Sequence, residues 1–539
     1  MERQTSERGA QPAAAPLALA GGATSMAMLA VAHSRGLRGL NAPAVRVEVH
    51  LANGLPLFTI VGLPEAAVRE SRERVRAALL QSGYDFPHRR ITVNLAPADL
   101  PKESGRFDLP IAVGILAASG QLPVGSLADV ELIGELSLTG ALRPIKAALA
   151  LASGLVSDHS RRSLVLPADN AAEATLCGHP GVLGATSLRQ VCEHLERRQM
   201  LAPTPIDAAG LDGAAPAFDE AGAPDLADVV GQPQGRRALE IAAAGRHHLL
   251  LCGPPGTGKS MLALRLAGLL PPLTRPEALA SASIASIKGK LVPERWMNRP
   301  VRSPHHSVSV AGLIGGGQPP RPGEISLAHQ GVLFLDELPE FRRAAVEALR
   351  EPLETGRITV ARGPYSETFP AAFLLVAAMN PCACGYLGDT RHGCACTPQQ
   401  IRHYRARLSG PLLDRLDLCV DVRRGSSHGL EASENAPREA TAAVARRVRD
   451  ARERQAQRQG KCNGDLAAAE LDAVLTLAPA ALQLAAQAAR RFEWSMRGLH
   501  RTLKVARTIA DLARRHAIEC DDVAEAVALR RQLEPSRDA

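Results

Sequence analysis

One stretch, His248-Leu-Leu-Leu-Cys-Gly-Pro-Pro-Gly-Thr-Gly-Lys-Ser260, constrains the fold more than any other part of the chain. Its apolar start predicts a buried strand, and residues 253–260 fit the pattern G-x-x-x-x-G-K-[ST] of a phosphate-binding loop. Residues 261–270 read as a helix that Pro271-Pro272 ends. A chance glycine-rich turn is disfavoured because Lys-Ser and both flanks are in place. The stretch therefore predicts an α/β fold with a parallel sheet.

Each residue type in this loop has a physical task. The glycines let backbone N–H groups turn toward phosphates, Lys259 adds charge to the β- and γ-phosphates, and Ser260 can ligate Mg²⁺. ATP and Mg²⁺ are thus the expected cofactors. The residues expected to bind them here are Gly253, Gly256, Thr257, Gly258, Lys259 and Ser260.

Two further apolar segments end in polar side chains. Gly331-Val-Leu-Phe-Leu reads as a strand buried on both faces and runs into Asp336 and Glu337. Asp336 is expected to hold Mg²⁺, and Glu337 to polarise the water that attacks the γ-phosphate. A third strand, residues 373–379, delivers Asn380 to the same edge of the sheet, where open α/β folds bind ligands.

These landmarks resemble the AAA+ ATPases, in which Asn380 would be the sensor-1 residue. The stretch Leu412-Leu-Asp-Arg-Leu-Asp417 resembles the arginine-finger segment of the AAA+ branch that contains magnesium chelatase and the MCM helicases. Residues 495–501 resemble the sensor-2 helix of that branch. The resemblance implies an AAA+ P-loop core with a helical C-terminal lid, a finger at Arg415, and Arg497 approaching the γ-phosphate from the lid. Arg501 is the reserve candidate.

Bulk composition adds little. The formal net charge of +8 suits contact with a polyanion but also suits many other proteins. Ten cysteines, four of them clustered, fit a reducing cytoplasm better than a secreted disulfide framework. We expect a cytoplasmic protein without a membrane partner, since no segment has the density of large apolar residues needed to span a bilayer.

The length of 539 residues predicts several domains. The expected segments are a disordered extension (1–25), an N-terminal α+β domain (26–200), a linker (201–224), the ATPase core (225–425) with a helix-2 insert and a four-cysteine loop (382–396), a connector with a basic helix (426–464) and the helical lid (465–539).

In the N-terminal domain, two alternating segments flank Asn53-Gly54, and this pattern predicts a β-hairpin. Residues 102–110, with 134–140 and 143–146, resemble the S5-like proteolytic domain of Lon and the chelatase-subunit domain of the ComM/YifB family. Lon uses a Ser–Lys pair. On that alignment Arg106 stands where the serine should be and Ser104 is two residues early, although Lys146 lies near the position of the lysine. We therefore expect a non-proteolytic domain.

Two segments suggest contact with a polymer. About sixty residues separate the phosphate-loop helix from Asp336, and they are rich in glycine and cations. In the chelatase and MCM branch this region projects into a central pore. We therefore expect it to lie near the pore or near the nucleotide; a purely structural role is the alternative. Residues 357–369 read as a hairpin that resembles one whose basic tip touches DNA phosphates, here Arg362.

Four cysteines, Cys382, Cys384, Cys394 and Cys396, lie close together in the sequence. Four thiolates on one short loop can close a tetrahedral Zn²⁺ site, which would be structural because no coordination position stays open. His392 could replace one ligand. Reduced structural cysteines are the alternative.

The motifs together resemble the ComM/YifB family of magnesium-chelatase-like AAA+ ATPases. That resemblance implies a hexameric DNA helicase that promotes branch migration in recombination and natural transformation, with single-stranded or branched DNA as partner. The alternatives are a metal-insertion ATPase like that of magnesium chelatase and a protein-remodelling chaperone. An ATP-dependent protease is disfavoured because Arg106 replaces the nucleophile.

Overall fold

The computed structural model describes residues 28–63, 66–206, 224–389, 391–424 and 439–530. The expected extension over 1–25, most of the expected linker and much of the connector lie outside these ranges. The described chain forms an N-terminal part with a mixed sheet, a central part with a parallel sheet, and a helical C-terminal part.

A mixed seven-stranded sheet forms the centre of the N-terminal part, in the order β3-β4-β2-β1-β5-β8-β9. Its strands, with the short pair β6 and β7, are β1 Leu29–Arg35, β2 Ala44–Ala52, β3 Leu57–Val61, β4 Arg90–Ala96, β5 Val130–Leu132, β6 Glu135–Leu136, β7 Leu142–Arg143, β8 Ser163–Pro167 and β9 Val182–Ala185. Its helices are α1 Ala66–Arg69, α2 Ser71–Gln81, α3 Asp108–Ala118, α4 Ala148–Ser157, α5 Ala171–Thr175 and α6 Leu188–Leu195.

The predicted hairpin around Asn53-Gly54 is wrong. The strands β2 and β3 both form, but β4 lies between them, antiparallel to β2 and parallel to β3. The alternating pattern of β2 places one face of that strand in the core but does not specify which strand pairs with it. Local turn chemistry therefore did not decide the pairing.

The central part is a five-stranded sheet in the order β11-β14-β17-β10-β18, and every neighbouring pair is parallel. The strands of this part are β10 Leu249–Cys252, β11 Val301–Arg302, β12 Gly315–Gly316, β13 Arg321–Pro322, β14 Val332–Leu335, β15 Arg357–Arg362, β16 Tyr365–Pro370, β17 Leu374–Met379 and β18 Leu418–Asp421. The helices are α7 Pro233–Gly245, α8 Lys259–Leu269, α9 Arg275–Lys288, α10 Val310–Ile314, α11 Glu324–Leu327, α12 Arg343–Glu347, α13 Arg350–Thr355, α14 Pro398–Arg405 and α15 Gly410–Leu413.

Near-continuous apolar runs explain the sheet. The strands β14 and β17 are buried along their whole length, as strands covered on both faces must be. The predicted α/β fold with a parallel sheet is confirmed. Because all five strands point the same way, groups that follow β10, β14 and β17 meet at one edge, here called the carboxyl edge. The residues that precede the strands lie at the opposite, amino edge.

The C-terminal part is helical, as predicted. Its helices are α16 Thr441–Gln459, α17 Leu471–Val474, α18 Pro479–Arg491, α19 Met496–Leu512 and α20 Cys520–Arg530. Ser495 caps α19 by accepting a hydrogen bond from the Gly498 backbone N–H. The helices α16, α18, α19 and α20 share one apolar core with α7, α8 and the central sheet, so the C-terminal part packs against the side of the sheet.

Candidate nucleotide site

The phosphate loop joins β10 to α8 at the carboxyl edge. Gly256 and Gly258 have φ angles of 73° and 90°, a left-handed conformation that favours glycine. The space beside both is open, with no atom within 4 Å of where a Cβ would stand. Thr257 Oγ1 donates to the carbonyl of Pro254 at 2.9 Å and closes the turn. The loop thus forms an open cradle of backbone N–H groups at the start of a helix.

Lys259 is held at the mouth of this loop. Its side chain is buried, and Nζ donates to the carbonyls of Gly253 at 2.7 Å and Pro254 at 2.8 Å. It also donates to Asn380 Oδ1 at 3.2 Å. Burial lowers the pKa of Lys259, and the charges of Asp336 and Glu337 oppose that shift. The loop lysine and the expected sensor-1 residue are therefore direct neighbours.

The residues expected to hold Mg²⁺ also meet. Ser260 Oγ donates to Asp336 Oδ2 at 2.6 Å. A hydroxyl and a carboxylate oxygen this close, beside a loop that can cradle phosphates, are the oxygen ligands that Mg²⁺ takes in phosphoryl-transfer sites. The side chains therefore fit the metal that the motif implies, and Mg²⁺ there would neutralise charge on the phosphates.

Glu337 lies beside these groups with its side chain half exposed. Its φ of 53° is left-handed, and its backbone N–H donates to Asp336 Oδ1 at 2.9 Å. Its carboxylate lies 3.4 Å from His306 Nδ1. Because His306 belongs to the long segment before Asp336, that segment reaches the nucleotide site. The contact between His306 and Glu337 is not marked by any local motif in the segment.

Two other side chains hold the phosphate loop from outside. Gln232 Nε2 donates to the carbonyl of Thr257 at 3.3 Å, and Arg424 donates to the carbonyl of Pro255 at 3.2 Å. Arg424 was missed because nothing in the sequence distinguishes it from other arginines.

Arg415 lies at the opposite, amino edge of the sheet. It precedes β18, which runs parallel to β10, whereas the phosphate loop follows β10. The neighbouring Asp417 accepts from the backbone N–H of His248 at 2.9 Å, at the beginning of β10. A strand of four residues is roughly 10 Å long, so Arg415 is at least that far from the phosphate loop of its own chain.

The helix expected to carry sensor 2, α19, begins at this amino edge too. Arg501 Nη1 donates to Asp417 Oδ1 at 2.7 Å. Arg497 Nη1 lies 3.3 Å from Glu354 Oε1, and Arg415 Nη2 lies 2.6 Å from the same oxygen. Arg497 therefore lies at the amino edge of its own chain, away from the phosphate loop of that chain. The reason is that α19 packs against α7 and its Arg501 binds Asp417 directly before β18.

The four clustered cysteines come together as expected. All four Sγ atoms lie within 4.8 Å of one another. The separations are 3.4 Å between Cys382 and Cys384, 3.7 Å between Cys382 and Cys394, and 3.6 Å between Cys384 and Cys394. A tetrahedral site with Zn–S bonds of about 2.3 Å has sulfur separations of about 3.8 Å. His392 Nδ1 instead lies 3.6 Å from Asp389 Oδ2, outside this group.

This cysteine loop touches the nucleotide site. It begins directly after Asn380, and at Gly385 a Cβ would come within 2.9 Å of Pro255 in the phosphate loop. Asp389 lies 3.2 Å from Arg424, the residue that also donates to the Pro255 carbonyl. The conformation of the loop is therefore linked to those of Asn380 and Pro255.

The hairpin of β15 and β16 forms as predicted, and Arg362 at its tip is exposed. Most cations of the preceding long segment have structural partners. Arg302 and Lys290 pair with Glu324, and Arg321 pairs with Glu103 of the N-terminal part. Within the described residues Arg362 forms no such ion pair, so it is the more available of these cations.

Ser104 is not arranged as a nucleophile. Its Oγ accepts a hydrogen bond from Arg106 Nε at 3.0 Å. The exposed Lys146, at the position expected for a Lon-type base, lies against Gly289 of the central part, with a methylene carbon 3.5 Å from the Cβ position there. These contacts agree with the expectation of a non-proteolytic domain.

Most of this chain is similar to known protein families. Family models match residues 225–430 (magnesium chelatase, subunit ChlI), 47–170 (subunit ChlI of Mg-chelatase) and 438–530 (magnesium chelatase, subunit ChlI C-terminal). The uncharacterized protein YifB of Escherichia coli strain K12 is 47% identical over 504 residues, which cover 93% of this chain and 97% of that protein.

Two other relatives are informative by contrast. The competence protein ComM of Haemophilus influenzae is 46% identical over 503 residues, covering 93% of this chain and 97% of ComM. The magnesium-chelatase 38 kDa subunit of Rhodobacter capsulatus is 29% identical over 216 residues, only 36% of this chain and 54% of that subunit. Among the helices of the described ranges, none has the length and apolar character needed to cross a membrane.

Proposed function

Since the chain belongs to the ComM/YifB family of magnesium-chelatase-like AAA+ ATPases, we propose that it is a ring-forming, ATP-driven motor that remodels DNA. Family membership supports the ATPase itself. Beyond the ATPase, we propose that hydrolysis takes place between neighbouring chains, that the chains form a ring, and that the ring acts on DNA. The observation that carries it is the separation of the two halves of the site onto opposite edges of one parallel sheet.

One chain supplies the cradle. Lys259 and the loop N–H groups bind the phosphates, Ser260 and Asp336 hold Mg²⁺, and Glu337 accepts the proton of the attacking water. Asn380, hydrogen-bonded to Lys259, is placed to orient the γ-phosphate.

The neighbouring chain supplies the guanidiniums. Arg415 sits at the amino edge and cannot reach the phosphate loop of its own chain, so a finger role requires a second copy. An arginine finger supplied across a subunit interface raises kcat by about 10³- to 10⁵-fold. Arg497 lies beside Arg415 on the same carboxylate and would act from the same side. A closed ring, a hexamer in our proposal, gives every cradle such a neighbour.

DNA is the proposed polymer for two reasons. The name of one relative, competence protein ComM, points to competence, the state in which cells take up DNA. The exposed Arg362 at a hairpin tip is suited to a phosphate contact, which positions a strand without reading its bases. The short match to the magnesium-chelatase subunit makes a metal-insertion motor the weaker candidate.

The test is the ATPase rate and branch migration of purified protein with single-stranded, duplex and branched DNA. We expect DNA to stimulate turnover, with an affinity that falls steeply as salt rises. Arg362→Ala should weaken binding to all sequences alike and reduce the salt slope by about one. Arg357→Ala, an exposed arginine at the far end of the same hairpin, is the control. Turnover that ignores DNA of every form would exclude the DNA role.

We also propose that the cysteine loop holds a structural Zn²⁺ through Cys382, Cys384, Cys394 and Cys396. The sulfur separations near those of a tetrahedral site with four thiolate ligands support this. The ion would fix the loop that begins at Asn380 and packs on Pro255, and it would take no part in the chemical step.

A further inference from the structure

Two arginines from distant parts of the chain share one carboxylate at the amino edge. Glu354 Oε1 lies 2.6 Å from Arg415 Nη2 and 3.3 Å from Arg497 Nη1. Arg415 follows α15, Arg497 opens α19, and Glu354 lies near the end of α13. We propose that Glu354 is the positioning residue for both arginines and holds their guanidiniums side by side where the γ-phosphate of the neighbouring copy arrives.

Burial makes Glu354 necessary to Arg415. The Arg415 side chain is 7% exposed, and a buried cation needs an anionic partner. In the described part of the chain Glu354 is its ion-pair partner, while the nearby Asp417 is engaged by Arg501. Without Glu354, Arg415 would keep its contact to the carbonyl of Pro411 but lose its counter-charge.

The three side chains of this cluster differ in their exposure to solvent. Glu354 is 37% exposed and Arg497 is 58% exposed, whereas Arg415 is covered. Glu354 and Arg497 therefore lie on the solvent side of this cluster, and Arg415 lies on its inner side. Desolvation acts to raise the pKa of Glu354, but Arg415, Arg497 and Arg501 outweigh it and lower the pKa, so the carboxylate stays ionised at neutral pH.

The charge count leaves room for a phosphate. Arg415, Arg497 and Arg501 bring three positive charges, and Glu354 and Asp417 bring two negative ones. One positive charge is left over among these five groups. An incoming γ-phosphate can therefore pair with the guanidiniums while Glu354 still holds them, so the carboxylate need not be displaced.

This inference rests on the proposed function. The experiment therefore first tests whether ATP is hydrolysed at the interface between two copies of the chain, here called the seam. A Lys259→Ala chain has no working cradle but keeps its arginines, and an Arg415→Ala chain has the reverse defect. Each protein alone should be inactive. A mixture of the two should recover ATPase activity. The active interfaces are those at which the Arg415→Ala chain contributes the phosphate loop and the Lys259→Ala chain contributes Arg415.

Glu354 is then tested on the arginine-donating chain alone. A Lys259→Ala/Glu354→Gln chain mixed with the Arg415→Ala chain should give a kcat about 10- to 100-fold below that of the unmodified mixture. The KM for ATP should stay within about twofold, since the cradle belongs to the other chain. Lys259→Ala/Glu351→Gln, a substitution one turn earlier on α13, should recover fully.

Shape and charge are separated by a third donor chain, Lys259→Ala/Glu354→Asp. Aspartate keeps the charge and loses length, whereas glutamine keeps the length and loses the charge. We expect aspartate to restore more activity than glutamine, with equal ring assembly by light scattering. Two results would overturn the role of Glu354. One is a higher kcat with the Glu354→Gln donor than with the Glu354→Asp donor, and the other is an unchanged kcat with the Glu354→Gln donor. An inactive unmodified mixture would instead overturn the seam, and this inference with it.

Discussion

At the scale of single residues, the phosphate loop separates nucleotide binding from cleavage. Lys259 touches the loop carbonyls and Asn380, whereas Glu337 stands beside Asp336 with its side chain toward His306. Removing the lysine takes a charge from the phosphates themselves. Removing the carboxylate takes away a group that acts on water.

We therefore expect Lys259→Ala to weaken ATP binding by at least about tenfold, the effect of losing one charged hydrogen bond. Glu337→Gln should bind ATP with unchanged affinity and lose turnover by about 10²-fold or more. Fluorescent-nucleotide titration and steady-state phosphate release measure the two effects. Normal turnover in Glu337→Gln would assign the water to another carboxylate.

A second residue, His247, makes stability depend on pH. It is fully buried, 2.8 Å from Thr508 Oγ1 of α19 and 3.8 Å from Asp417. Burial lowers the pKa of His247 to about 4, and the charge of Asp417 opposes the shift only in part. The unfolded chain, with an ordinary histidine pKa of about 6.5, takes up a proton in this range that the folded chain does not.

Stability should consequently fall as pH drops through the window between about 6.5 and 4. At pH 5 the loss from His247 is about 2 kcal/mol relative to pH 7. Urea unfolding at both pH values measures it. His247→Gln should show a smaller pH dependence than the wild type, and His50→Gln, at an exposed position on β2, should show the same one. Identical slopes in all three proteins would refute the assignment.

At the scale of elements, the cysteine loop joins two parts of the nucleotide site. It leaves β17 at Asn380 and returns past Pro255 and Arg424. A loop with little apolar packing depends on cross-links for its conformation, and a metal bound by four thiolates can supply them. We expect its order to follow metal occupancy.

The purified protein should contain one zinc per chain by elemental analysis. Cys384→Ser should lose that zinc and bind ATP more weakly, while Cys520→Ser, on the distant helix α20, should keep both. A zinc-free wild-type protein with normal ATP affinity would favour the alternative of reduced structural cysteines.

At the scale of the whole molecule, the N-terminal part packs against the central part through apolar and polar contacts. Leu149 and Leu155 of α4 share a buried apolar cluster with Leu273, Trp296 and Met297. Hydrogen bonds and ion pairs surround it, such as those from Ser286 to Glu173 and from Arg38 on the N-terminal part to Glu367 on the hairpin. The N-terminal part thus contacts both the long segment after the phosphate loop and the hairpin that carries Arg362.

A fragment that begins at residue 224 should therefore expose the central side of this cluster. We expect it to bind a hydrophobic dye more strongly than the full chain and to unfold at a lower temperature, because burying one large side chain contributes about 1.5–3 kcal/mol. Replacing Trp296 and Met297 with Gln in the fragment should reduce the dye binding. A fragment as stable as the full chain, with no added dye binding, would show that the two parts are independent.

The sequence by itself determined the chemistry at the carboxyl edge. Gly258, Lys259, Asp336 and Asn380 each follow an apolar strand, and parallel strands bring their ends together without further information. Local pattern was sufficient there because each strand and the residue after it are contiguous in the chain.

Only the tertiary structure decided what lies at the amino edge. The meeting of Glu354, Arg415 and Arg497 depends on where α13 and α19 pack, and no local signal in any of the three segments records the other two. The same holds for β4 lying between β2 and β3 and for His306 beside Glu337. Contacts between segments far apart in sequence are set by the packing of whole elements, and short-range patterns of residue type do not carry that information.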